Sequence, residues 1–200
     1  MAKFKKLLLS QPGLSDLDRL KISYASELVR NESIKTALYG ILFFLAGYFP
    51  EFLLWLAMSC TIRTFAGGIH MRTNVGCFCM GLVTMGLGIL LLPRLPISQS
   101  GYLSALWICA AVICLLSPIA SYKRPFKTKE RYRLCKKWSI LFTLAWSLIL
   151  TFAPAPAYLQ NCGVCYLVLQ AVQMIAQSVY RYFKHKKSIG GLHDVQKNAL

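Results

Sequence analysis

Residues 76–93 read GCFCMGLVTMGLGILLLP, eighteen positions without one charged side chain. An α-helix needs roughly 20 apolar residues to cross a hydrocarbon core of about 30 Å, so this run predicts a transmembrane helix. Three further segments read the same way: 101–120, 138–153 and 159–180, of which 138–153 is short for a full crossing. Tyr102, Tyr122, Trp138, Tyr158 and Tyr180 mark their ends, where amphipathic rings favour the membrane interface. Composition agrees. Of the 200 residues 56% are hydrophobic and only 15% charged, and the mean hydropathy is +0.50. No soluble domain of this size covers itself with so little polar surface. The fold class expected is an all-α polytopic membrane protein with about six hydrophobic segments.

The stretch 34–62 bears on that count, because it is long for one span and is broken by Pro50-Glu51. One crossing would export the segment 121–137 with its eight basic residues. A hairpin of two short, tilted or re-entrant arms leaves Arg94 alone of the 23 Lys and Arg on the outer side. The second arrangement satisfies the positive-inside rule and places both termini in the cytoplasm. Before it, residues 1–35 form an expected N-terminal helix. Ser15 offers a cap, Leu14, Leu17, Tyr24 and Leu28 fall near one face, and Lys3, Lys5, Lys6, Arg19 and Lys21 suit anionic headgroups. The same pattern also suits a solvated helix packing on its own protein. A cleavable signal peptide is not expected from MAKFKKLLLS at 1–10, whose apolar run is only three leucines long. The expected division is thus 1–35, a membrane-embedded domain over 36–180, and a basic cytoplasmic tail over 181–200.

Just ahead of the opening run stand Arg63, Gly67, Gly68 and His70, and the run itself contains Cys77. A Cys that serves as a nucleophile needs a nearby imidazole to take its proton. On a continuous helix, residues seven apart lie about 10 Å from each other, beyond a hydrogen bond of about 3 Å. The chain between them must therefore fold back, and Gly67, Gly68, Asn74 and Gly76 are candidates for the fold. Arg63 suits a membrane anchor, an oxyanion partner or an orienting group for the loop; the glycine pair suits a turn or an oxyanion hole. Asn74 or a backbone carbonyl would orient His70. Cys79 competes with Cys77 for the nucleophile's role on spacing alone.

Eight cysteines in apolar spans or on the reducing side predict free thiols. Cys162-Gly163-Val164-Cys165 has the C-x-x-C spacing without a second pair. Cys60, His70, Cys77 and Cys79 fit no standard zinc pattern, so neither metal nor cofactor is expected. Gly190-Gly191-Leu192-His193 repeats Gly67-Gly68-Ile69-His70 without a following thiol, and His185 meets solvent in the same tail. The net charge of +16 lies on inner loops without interleaved aromatics, which argues for anionic lipid and against nucleic acid.

In order and spacing, Arg63, Gly67-Gly68, His70, Thr73 and Cys77 resemble the R-x-x-x-G-G-x-H-x-x-T-x-x-x-C pattern of the accessory gene regulator B family. These are membrane-embedded cysteine endopeptidases of bacterial peptide quorum sensing. Ser117-Pro118, followed by Lys123-Arg124-Pro125-Phe126, resembles that family's basic loop. The resemblance implies His70 as base and Cys77, rather than Cys79, as nucleophile, with Arg63, Gly67 and Gly68 in support. It implies a bacterial cell-membrane location, a homodimer, and a small precursor peptide with an amphipathic leader and an acidic C-terminal part. Lys123, Arg124, Lys127, Lys129, Arg131 and Arg133 would hold that acidic part. It further implies cleavage through a Cys thioester and cyclisation to a thiolactone or lactone. The rival from another class is a small transporter or channel. Against it, the four clear spans carry no ionisable interior residue, Glu51 in the hairpin being the exception.

Overall fold

The computed structural model of the chain describes residues 15–69, 71, 73–96, 98–119 and 128–197, apart from the side chains at 99 and from 184 on. The described residues are helical throughout, with one isolated backbone bridge between Gly67 and Ile119. Six helices follow one another: α1 Asp16–Leu45, α2 Phe49–Met58, α3 Asn74–Gly86, α4 Gln99–Leu116, α5 Lys129–Phe152 and α6 Ala157–Lys197. Two of them run on through irregular turns. After α2 comes a π-helical turn, Ser59–Arg63, and then Thr64–Ala66; after α3 come a π-helical turn, Leu87–Leu91, and a 3-10 turn, Leu92–Arg94.

The chain divides into two compact parts, one ending at Phe49 and the other starting at Pro50. In the first, Ser15 caps α1 as expected, its hydroxyl accepting from the Asp18 amide at 3.2 Å. The Ser15 hydroxyl and the Lys21 ammonium together hold the Asp18 carboxyl below its ordinary value. Helix α1 then continues unbroken across residue 35, where the composition changes. The break expected at Pro50-Glu51 lies earlier, at Ala46–Tyr48. Gly47 takes φ +79° there, and the Tyr48 amide donates back to the Phe43 carbonyl at 2.8 Å. Pro50 instead sits in the first turn of α2, where its missing N–H costs nothing.

In the second part three helices are long and apolar enough to cross a membrane: Asn74–Arg94, Lys129–Phe152 and Ala157–Phe183. Ser100–Leu116 is apolar but shorter, so the expected span 101–120 stops early at Ser117. The expected span 138–153 begins nine residues sooner, because the capping hydroxyl of Thr128 and a run of good helix formers start α5 within the basic segment. The expected 159–180 grows into a helix that passes through Gly190-Gly191 to Lys197, so the tail's backbone is helical rather than irregular.

Helix α6 is central: over half of its apolar window is buried, against under a quarter for the other two. Cys162, Cys165, Tyr166, Leu167, Ala171 and Met174 are buried along it. Small residues bring the neighbours close. A Cβ at Gly163 would stand 2.4 Å from Leu150, and one at Gly88 would stand 2.2 Å from the Trp55 ring, the close approach that glycine permits between membrane helices. The Trp55 ring in turn meets Tyr166 edge-on at 5.0 Å. At the start of α4 the Tyr102 hydroxyl donates to the Leu92 carbonyl at 3.2 Å, and beyond its far end Ile119 meets Gly67. Tyr102 is buried and Tyr158 donates to the Ile89 carbonyl. These two tyrosines therefore serve the protein interior as hydrogen-bond donors, rather than the membrane interface as expected of them.

Candidate active site

The fold-back expected between His70 and Cys77 runs through positions 70 and 72, outside the described residues; ahead of it Gly67, and not Gly68, takes a backbone other residues avoid, at φ +82°. Its amide donates to the Arg63 carbonyl at 3.0 Å, and the Ile119 amide donates to the Ala66 carbonyl at 2.8 Å. A Cβ on Gly67 would stand 2.2 Å from the Ile119 carbonyl oxygen. Glycine is thus required twice, for the left-handed torsion and for the approach of the second strand of chain. The Gly67 N–H, committed to the Arg63 carbonyl, is not free to serve the oxyanion hole expected of the pair.

Arg63 arches over this loop. Its guanidinium donates to the Ile69 carbonyl at 3.0 Å, and its Nε lies 3.5 Å from where a Cβ on Gly68 would be. From α6, Gln170 reaches in and donates its Nε2 to the Gly67 carbonyl at 2.8 Å. Gln173, three residues on, is buried, and its Oε1 has no hydrogen-bond partner among the described residues. Behind the loop, Phe65 stacks on Phe142 at 5.6 Å and lies 6.2 Å from Trp138, which fixes the Thr64–Ala66 turn against α5. His70 lies outside the described residues, as do Lys123, Arg124 and Lys127.

Thr73 starts the next helix. Its hydroxyl accepts from the Gly76 amide at 3.1 Å and its carbonyl accepts from the Cys77 amide at 3.1 Å. A Cβ at Gly76 would come within 2.8 Å of the Thr73 hydroxyl. Gly76 and Asn74 are therefore parts of a capped helix start and not of the fold-back, because the cap already turns the chain at Thr73. Cys77 lies in the first turn of α3 and is half-buried, whereas Cys79 is exposed. Two residues of α-helix rotate the side chain by about 200°, so the two thiols point to opposite sides of α3. All eight cysteines are free thiols. Among the described residues no cluster of three or more His, Cys, Asp or Glu is placed to hold a metal. Lys129, Arg131 and Arg133 are exposed on the first turns of α5; they belong to a helix rather than to a loop.

The two stretches that carry the sequence pattern, 63–77 and 117–126, are thus paired in space at Gly67 and Ile119. A family model described as Accessory gene regulator B matches residues 3–175. The chain belongs to the accessory gene regulator B family. A curated relative, an AgrB-like protein of Clostridium beijerinckii, is 28% identical over 164 residues, covering 81% of this chain and 79% of its own. No solved structure matches. Membership brings a role in quorum-sensing peptide processing, and with the three membrane-compatible helices it makes the chain a membrane protein. Gln170 and Gln173 escaped the sequence reading, which searched the spans for ionisable groups. Two amides one turn apart in an apolar span were the signal, since unpaired polar groups are costly in lipid.

Proposed function

We propose that this chain is a cysteine endopeptidase that cleaves a small precursor peptide at the cytoplasmic membrane face and closes the upstream fragment into a ring. The observation that carries this reading is the placement of Cys77 on the first turn of α3, directly after a loop held by Arg63, Ile119 and Gln170. The positive end of the helix dipole favours the negative charge that must develop there.

In the reaction, His70 takes the thiol proton while the Cys77 sulfur attacks a peptide carbonyl of the precursor. The C–N bond breaks, the leaving amine takes the proton from the imidazolium, and the C-terminal fragment departs. A side-chain thiol or hydroxyl of the bound fragment then attacks the thioester carbonyl. Its proton passes to Cys77, and a thiolactone or lactone leaves. Exchange of one thioester for another is nearly balanced in energy, so water must be kept out, and a site between apolar helices does that. Arg63 orients the loop. Lys129, Arg131 and Arg133, with Lys123, Arg124 and Lys127, attract the acidic end of the precursor.

Co-expression with a short peptide from a neighbouring reading frame tests the reading on a gel. Cys77→Ala and His70→Ala each abolish cleavage; Cys79→Ala, Cys162→Ala and Cys165→Ala do not. Cleavage retained in Cys77→Ala would remove the reading and favour a transporter, for which Glu51, with one buried oxygen lacking a partner, would be the ionisable group. Orientation is tested separately, by single cysteines in a Cys-free variant. One at Ser98 reacts with an impermeant thiol reagent in intact cells, and ones at Thr128 or Lys187 do not.

A further inference from the structure

Gln170 and Gln173 lie on one face of α6, three residues apart, and both are more than nine-tenths buried. Their amides converge on the open side of Gly68: a Cβ there would stand 3.8 Å from Gln170 Nε2, 3.8 Å from Gln173 Oε1 and 3.5 Å from Arg63 Nε. One hydrogen of the Gln170 amide is committed to the Gly67 carbonyl. The Gln173 oxygen has no hydrogen-bond partner among the described residues. A buried polar atom without a partner is costly, and more so in an apolar span than in water. Such an atom in a native fold calls for a group that arrives from elsewhere.

We infer that Gln170 and Gln173 form a peptide-amide clamp at the Gly67-Gly68 loop. Gln170 is a positioning residue that pins the Gly67 carbonyl and so holds Gly68 in place. Gln173 is a binding residue whose Oε1 accepts a main-chain N–H of the bound peptide. Two donors, Arg63 Nε and the second hydrogen of the Gln170 amide, stand opposite one acceptor. That set is complementary to an extended peptide group, which offers one C=O and one N–H. The inference rests on the peptidase reading and names how that site grips its substrate.

The test uses the full chain in nanodiscs and, as probe, the synthetic precursor whose cleavage depends on Cys77. Gln173→Leu removes the acceptor and is expected to raise KM roughly 5- to 100-fold with kcat little changed, the pattern of a contact made equally in ground and transition states. Gln173→Glu, which keeps an acceptor oxygen, recovers most of that loss. Gln170→Glu loses cleavage where its carboxylate faces the Gly67 carbonyl. Relative to wild type it regains activity as the pH is lowered, because the protonated acid again donates to that oxygen. A purely structural role gives no such acid-side recovery. Alkylation of Cys77 by iodoacetamide, in variants lacking the other cysteines, reports whether the thiol stays accessible and the protein folded. If Cys77→Ala is inactive and Gln173→Leu, alkylated normally, shows wild-type KM, the clamp is overturned while the peptidase reading stands. If Gln170→Glu shows the wild-type pH profile, the positioning role is overturned.

Discussion

At Ser59–Arg63, and again at Leu87–Leu91, the backbone opens from α- into π-helical bonding. The first follows α2 and the second follows α3. A π turn disturbs the regular ladder and leaves carbonyls that other donors must satisfy. At the second turn they are satisfied: the Tyr158 hydroxyl and the Cys162 thiol face the Ile89 carbonyl, and the Tyr102 hydroxyl takes that of Leu92. At the first turn the Tyr166 hydroxyl donates to the Met58 carbonyl and Trp146 donates to the Thr61 hydroxyl, but just beyond it a buried glutamine oxygen is left over. The comparison separates two uses of irregular backbone in a membrane. Where donors and acceptors close among themselves, the irregularity is structural; where one remains open among the described residues, the region is the place of the proposed clamp.

The largest expected effect attacks the ligand end. Gly67→Ala drives a Cβ into the Ile119 carbonyl at 2.2 Å and imposes a left-handed torsion, so it should abolish cleavage at normal expression, scored by gel shift beside size-exclusion of the detergent-solubilised protein. Gly47→Ala is the control. Its φ is nearly the same, but nothing lies within 4 Å, so it should bear only the torsional strain of about 1–2 kcal/mol and keep activity. Equal losses in the two variants would mean that the Gly67–Ile119 pairing does not matter.

Next comes the closed end. Tyr158→Phe strands the Ile89 carbonyl and should cost about 1–3 kcal/mol of stability, read as a lower unfolding midpoint in detergent, while cleavage per folded molecule stays unchanged. A drop in kcat there would erase the distinction between the two ends.

A smaller effect is expected on the surface of α5. Replacing Lys129 and Arg131 with Gln should weaken precursor binding by about 0.2–1 kcal/mol per lost pair, leaving the chemical step alone. Added salt should mimic it, because exposed charges are screened within about 8–10 Å at physiological ionic strength. An unchanged concentration dependence with unchanged salt sensitivity would return these residues to the role of a topology signal.

The smallest effect lies far from either turn. The Asp18 carboxyl is held below its ordinary value by the Ser15 hydroxyl first and Lys21 second. A lowered folded-state value means that its contribution to helix stability is present above the ordinary carboxylate range and fades as the pH falls through the folded value. Ser15→Ala should move the Asp18 titration upward, as followed by carboxyl NMR, and leave cleavage at neutral pH untouched.

The parts of this architecture that depend on hydropathy and on local chain geometry were legible in the sequence. The all-helical class, the cap at Ser15 and the left-handed glycine at Gly67 all follow from side-chain identity within a few residues. The break before α2 was misplaced because Pro50 is the louder signal, although proline is comfortable in a first turn and Gly47 does the turning. The π turns were invisible, since Ser59–Arg63 and Leu87–Leu91 have the composition of ordinary helix and the side chains that bond at them lie 69 to 108 residues away. The pairing of Gly67 with Ile119 was hidden for the same reason: it is a backbone contact without a side-chain signature. Cys77 and Cys79 could not be told apart on spacing, and separate only once the helix direction and burial are known.

The Gly67 carbonyl finds its Gln170 partner 103 residues later in the chain, which orders events during synthesis. When the thiol and the glycine loop have left the ribosome, the helix that grips them has yet to be made. A nascent chain that has inserted only through α5 carries the proposed nucleophile but not the proposed clamp. On that proposal, competence to process a peptide begins only with insertion of the last span, and a truncated or stalled product stays inert in the membrane.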